Sequence, residues 1–150
     1  MPITGAHHTS YTVIDMDVTL KFYRDLLGFE VINERPEVTN NYFRKIIGFP
    51  DAVVHATLLR IPGTEHVLEL LQYINPKGNP QDLTPNNPAS SHICYIVDDL
   101  KSIYSQLVEK GIDFISPPVY LDEGPNVGGW SLYLRDPNGI VIEMMQPSGK

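Results

Sequence analysis

Cysteine is nearly absent: the 150 residues contain one, Cys94, so no disulfide forms within the chain. It lies in the apolar run HICYIV, which predicts a buried, inert thiol. Basic residues are scarce too, with 11 Lys and Arg against 18 Asp and Glu and a formal net charge of -7. That balance disfavours phosphate backbones and anionic membrane surfaces, which need clustered cations to displace counterions, so neither nucleic acid nor a membrane is expected as a partner. No stretch approaches the roughly 18 consecutive apolar residues of a membrane span. The start MPITGAHHTS lacks the basic segment, apolar run and small-residue cleavage site of an export signal, so a soluble, cytoplasmic protein is expected. A chain of this length buries one core and is too short for two full-sized domains.

What is present is a regular order of elements. Residues 8–14, HTSYTVI, are mostly β-branched or aromatic and predict a strand. DMDVTLKFYRDLLG follows, with Leu20, Tyr23 and Leu27 on one face at helical spacing, Asp15 or Asp17 as cap and Gly28 as stop. FEVI resumes as a strand. VVHATLLRI and HVLELLQY, joined by the turn PGTE, predict a hairpin. The segment 75–90 holds four prolines and four asparagines and predicts an exposed connection. Beyond it, HICYIV is a strand and VDDLKSIYSQLVEKG a helix, with Leu100, Ile103, Tyr104 and Leu107 on one face, Asp98 or Asp99 as cap and Gly111 as stop. DFIS predicts a short strand, residues 117–129 a Gly- and Pro-rich loop, and WSLYLRD and IVIEMMQ two strands around the turn DPNG.

The second half therefore repeats the first. His8 precedes Val13 as His92 precedes Val97, by five positions, and VLELLQ (67–72) matches VIEMMQ (141–146) with its glutamate in the same place. His8 and Glu69 are 61 positions apart and His92 and Glu143 are 51 apart, the difference falling in the insertion between Glu34 and Asp51. Each half is marginal alone, which predicts a single α+β domain over 1–150 made of two βαβββ modules, about 5–75 and about 90–147.

Strand alternation places Glu143 on one face with Val141 and Met145, and His92 on one face with Cys94 and Ile96. If the sheets curl, His8, Glu69, His92 and Glu143 converge. A lone strand histidine is more often a hydrogen-bonded rim residue than a ligand, but two His and two Glu at matching places of a repeat predict a divalent metal site. Two imidazoles and two carboxylates suit Zn, Ni, Co, Mn or Fe without choosing among them. Two open positions would then hold adjacent substrate oxygens and stabilise developing negative charge.

The segments HHTSYTVIDMDVTLKFYRDLLGFEV, VLELLQ, HICYIVDDL and YLRDPNGIVIEMMQ resemble the glyoxalase, bleomycin-resistance and extradiol-dioxygenase superfamily, the vicinal oxygen chelate proteins. The resemblance covers most of the chain outside 36–51 and 75–90. It implies the glyoxalase-like fold, paired βαβββ modules forming a curved mixed sheet around a metal-binding cavity. It also implies a small-molecule substrate, a homodimer and one divalent ion held by His8, Glu69, His92 and Glu143. His7, expected to point the other way, receives no ligand role.

The superfamily hosts several reactions, so residues must decide. Four ligands including Glu69 resemble the glyoxalase I and methylmalonyl-CoA epimerase groups, in which Glu69 or Glu143 would move a proton at carbon in a lyase or isomerase reaction. The run LELLQY nonetheless departs from the ELT-type run of glyoxalase I, and the epimerases of that group carry Gln where this chain has Glu69. The alternative is an iron-dependent ring-cleaving dioxygenase using the triad His8, His92 and Glu143, with Tyr133 beside the substrate; no histidine between Gly111 and Tyr133 supplies its acid-base group. A third possibility is a metal-free binding or resistance protein. Secondary candidates are His55 as an acid or base facing the cavity, Asn40, Asn41, Tyr42 and Arg44 as a lid, and GPNVGGW as a closing loop.

Overall fold

In a computed structural model describing residues 2–149, the chain divides into two compact units, Met1–Pro80 and Gln81–Lys150. The first comprises β1 (His8–Thr12), helix α1 (Met16–Leu20) continuing as a π-helix over Lys21–Leu26, β2 (Glu30–Val38), α2 (Asn41–Ile47), β3 (Val53–Arg60) and β4 (Val67–Asn75). Its four-stranded sheet has the order β1-β4-β3-β2, with β1 parallel to β4 and the other pairs antiparallel. The second comprises β5 (Ile93–Ile96), α3 (Leu100–Glu109), β6 (Val119–Tyr120), β7 (Trp130–Arg135) and β8 (Val141–Gln146). Its sheet, β5-β8-β7-β6, repeats the same pattern of one parallel and two antiparallel pairs. This is the mixed α+β arrangement of paired βαβββ modules that the repeat predicts.

The matching sequences fold by matching local rules. Asp15 and Asp99 cap α1 and α3, each accepting a backbone N–H three residues on at 3.0 Å. Gly28 and Gly111 end the helical segments with φ of +77° and +74°, a conformation costly to any residue with a Cβ. Along β4, Leu68 and Leu70 face the helix side and are buried with Leu59, Met16, Leu20 and Tyr23; along β8, Ile142 is buried with Leu134 and Leu100. Each such side chain contributes about 1.5–3 kcal/mol by leaving water. The alternate positions on both strands carry the glutamates.

Three segments differ from the sequence reading. The polar insertion folds as helix α2, with Phe43 and Ile47, one turn apart, packed on Val38, Ala52, Val54 and Leu71. Strand β2 runs on to Val38, further than the apolar letters of FEVI, because its burial pattern is mostly exposed and polar residues suffice there. DFIS gives only an isolated bridge, Phe114 to Leu134, and the paired strand forms later at Val119–Tyr120. Pro117 and Pro118 separate the two because neither offers an N–H to a ladder. Among the described residues no helix is long and apolar enough to cross a membrane.

Candidate functional site

Each unit brings one histidine to one glutamate. In the first, Glu69 lies opposite Ser10 of β1 and Leu58 of β3. His8, two residues before Ser10, shares that face, and its Nε2 stands 3.5 Å from Glu69 Oε2. In the second, Glu143 lies opposite Cys94 of β5 and Tyr133 of β7, and His92 Nε2 stands 3.2 Å from Glu143 Oε2. The exposures also match: 38% and 37% for the histidine side chains and 21% for both glutamates.

Imidazole nitrogen and carboxylate oxygen are donor types that a divalent ion accepts. Nitrogen and oxygen ligands each about 2.0–2.2 Å from one ion stand about 3.0–3.5 Å apart when they subtend an angle between square and tetrahedral, the separation seen in both pairs. Among the described residues no three or more His, Cys, Asp or Glu side chains gather into one cluster; the four residues stand as two pairs. His8 is further oriented by His7. The sequence reading turned His7 away, but its Nδ1 lies 2.7 Å from His8 Nδ1 with the rings edge to face. With the proton on His8 Nδ1 and His7 Nδ1 accepting it, His8 Nε2 carries the lone pair a metal requires; with the donor and acceptor reversed, Nε2 carries the proton.

The second pair carries additional groups. Tyr133 packs on His92 with centroids 5.0 Å apart, its hydroxyl 3.4 Å from His92 Nε2. Partial burial, then the charges of Glu143 and Cys94, raise the Tyr133 hydroxyl above the usual tyrosine value. Cys94 does not have the buried setting expected from HICYIV: its alternation puts it on the glutamate face, where it is exposed. Its partial desolvation, followed by the charge of Glu143 and a hydrogen bond with it, pushes the thiol up to about 11, so it stays protonated near neutral pH. The sequence reading passed over Ser131, whose Oγ donates to Glu143 Oε1 at 2.7 Å. Its signal was available, since Ser131 is two residues from Tyr133 and must share its face.

His55 does not join either pair. Leu58 shares the Glu69 face, so His55, three positions earlier, points to the other side of the sheet, where its Nε2 meets Glu34 Oε1 at 2.8 Å. Of the lid residues, Arg44 donates to Ala52 O at 2.8 Å and Asn40 accepts from Arg35 at 2.7 Å, both structural contacts. An open cavity of about 310 Å³ beside α2 is lined by Asn41, Arg44, Lys45, Gly48 and Pro50, none of them a predicted ligand. Gly129 of the GPNVGGW loop is enclosed: a Cβ there would stand 2.7 Å from Gln146 O.

A sequence model of the Glyoxalase/Bleomycin resistance protein/Dioxygenase superfamily matches residues 5–144, and the chain belongs to that superfamily. It is 25% identical to a 2-epi-5-epi-valiolone epimerase of Actinomyces over 97% of this chain and 81% of that protein. It is 26% identical to a probable lactoylglutathione lyase of Synechocystis over 95% of both chains. A solved glyoxalase family protein of Bacillus cereus shares its fold at a TM-score of 0.84 and 17% identity, covering 99% of this chain and 97% of that one.

Proposed function

We propose that this chain is a divalent-metal-dependent enzyme that moves a proton at a carbon beside a carbonyl in a small, oxygen-rich substrate. The observation carrying this reading is the duplicated His–Glu pair, alike in donor type and exposure, with each glutamate at the same register against the first strand of its unit. His8, Glu69, His92 and Glu143 are the ligands in this reading, whether one copy or a homodimer completes the set. The bound ion supplies charge that polarises the carbonyl and favours loss of the adjacent proton.

The chain's own residues do the rest. A glutamate oxygen takes the proton from carbon; its return to a neighbouring carbon gives isomerisation, while delivery of a proton to the opposite face of the same carbon by a second acid gives epimerisation. The Tyr133 hydroxyl, beside His92 and protonated at neutral pH, is a donor for a substrate oxygen. The relatives named an epimerase and a lyase support carbon-proton chemistry over oxygen insertion. The second reading, ring cleavage at iron, is favoured by one observation, the Tyr133–His92 contact, and leaves Glu69 without a task.

The deciding measurement is the metal content of purified protein. About one divalent ion per chain is expected, lost in His8→Ala and Glu143→Ala. Full metal in both variants, or none in the wild type, would sink the proposal. Oxygen uptake with catechols by the iron-loaded protein, surviving Glu69→Gln, would establish the second reading instead.

A further inference from the structure

Glu69 and Glu143 hold equivalent places in the repeat, yet their surroundings differ. Ser131 Oγ lies 2.7 Å from Glu143 Oε1 and 3.2 Å from Met144 O, and its single proton goes to the shorter, charge-assisted contact. Cys94, opposite Glu143 in the parallel ladder, stands on the same face as that carboxylate. The register identifies their counterparts. Ser131 lies opposite Met145 as Ala56 lies opposite Leu71, and Cys94 lies opposite Glu143 as Ser10 lies opposite Glu69. Ala56 has no donor to offer. Among the described residues the one hydrogen-bonding or ion-pairing partner of Glu69 is His8, at 3.5 Å.

We propose that Ser131 is a positioning residue that pins Glu143 as the fixed carboxylate of the metal site and leaves Glu69 as the labile one that carries the proton. The inference rests on reading the four side chains as metal ligands. A carboxylate serving as base must swing from the ion to a substrate carbon. Glu143 would first have to break its bond to Ser131, whereas Glu69 meets no such restraint. Held at Oε1, Glu143 keeps Oε2 beside His92, so its ligand geometry exists before any ion arrives. Oriented supports of this kind typically change metal affinity by about 10–100-fold.

The test is zinc titration of the metal-free chain against a chromophoric chelator, which requires no substrate. Ser131→Ala should weaken zinc binding by about ten-fold, and Ser131→Thr, which keeps the hydroxyl, should restore it. Glu143→Gln should lose at least ten-fold more affinity than Glu69→Gln. Wild-type affinity in Ser131→Ala, or equal losses in the two glutamine variants, overturns the inference while leaving the metal site standing. A wild-type chain that takes up no zinc overturns the metal reading and this inference with it. Should Ser131→Ala fail to fold, the comparison of Glu143→Gln with Glu69→Gln decides alone.

Discussion

Gln72 and Gln146 perform one task in two places: each side-chain oxygen accepts the first backbone N–H of a helix, from Met16 and from Leu100, at 2.9 Å. Both helical residues are buried, so these donors have no water to turn to. Each glutamine stands three residues after its glutamate, tying the strand that carries the carboxylate to the helix beneath it. Replacing either with Leu should cost about 1–3 kcal/mol, because a buried donor loses its acceptor. Urea denaturation of Gln72→Leu and Gln146→Leu checks this; an unchanged midpoint in both would refute it.

Thr57 gives a prediction of opposite sign. Its side chain is fully buried and its hydroxyl has no hydrogen-bond partner among the described residues. Thr57→Val removes an unsatisfied group at nearly the same volume and should stabilise the protein by about 1 kcal/mol. Thermal unfolding reads the change, and a lowered melting temperature would show that the hydroxyl is satisfied after all.

His55→Ala separates the two faces of the first sheet. With His55 bound to Glu34 on the side away from Glu69, the variant should keep its full metal content, in contrast to His8→Ala. Elemental analysis of the two variants side by side gives the answer. Loss of metal in His55→Ala would place that imidazole among the ligands.

Metal removal should also be visible as a loss of stability. An ion held by the native state alone adds about 2.7 kcal/mol at a free concentration one hundred times its Kd. Stripping the wild type with a chelator should therefore lower its melting temperature, and adding zinc back should restore it. His8→Ala should melt at one temperature with or without the ion.

The repeat was legible because it is written in side-chain types that physics constrains at each position. Capping Asp15 and Asp99, stopping Gly28 and Gly111, and the VLELLQ and VIEMMQ strands each match a local rule, and the structure follows them. Helix α2 was not legible because Phe43 and Ile47 are two apolar letters in a polar stretch, and only the cluster around Val54 makes them a packed face. The absence of a strand at DFIS turned on Pro117 and Pro118 just beyond it. At the candidate site, strand alternation located the His and Glu pairs and was sufficient to find Ser131. It could not supply His55's true face, which depends on the register of β3 against β4. Nor could it show His7 folding back on His8, since His7 lies outside any strand.

Each unit of the repeat sets its own glutamate beside its own histidine, so the two carboxylates start as equivalents. The exchange of a methyl at Ala56 for a hydroxyl at Ser131 ends that equivalence with a single oxygen atom. A division of labour between the two carboxylates would then trace to a position where the two halves of the chain stopped agreeing.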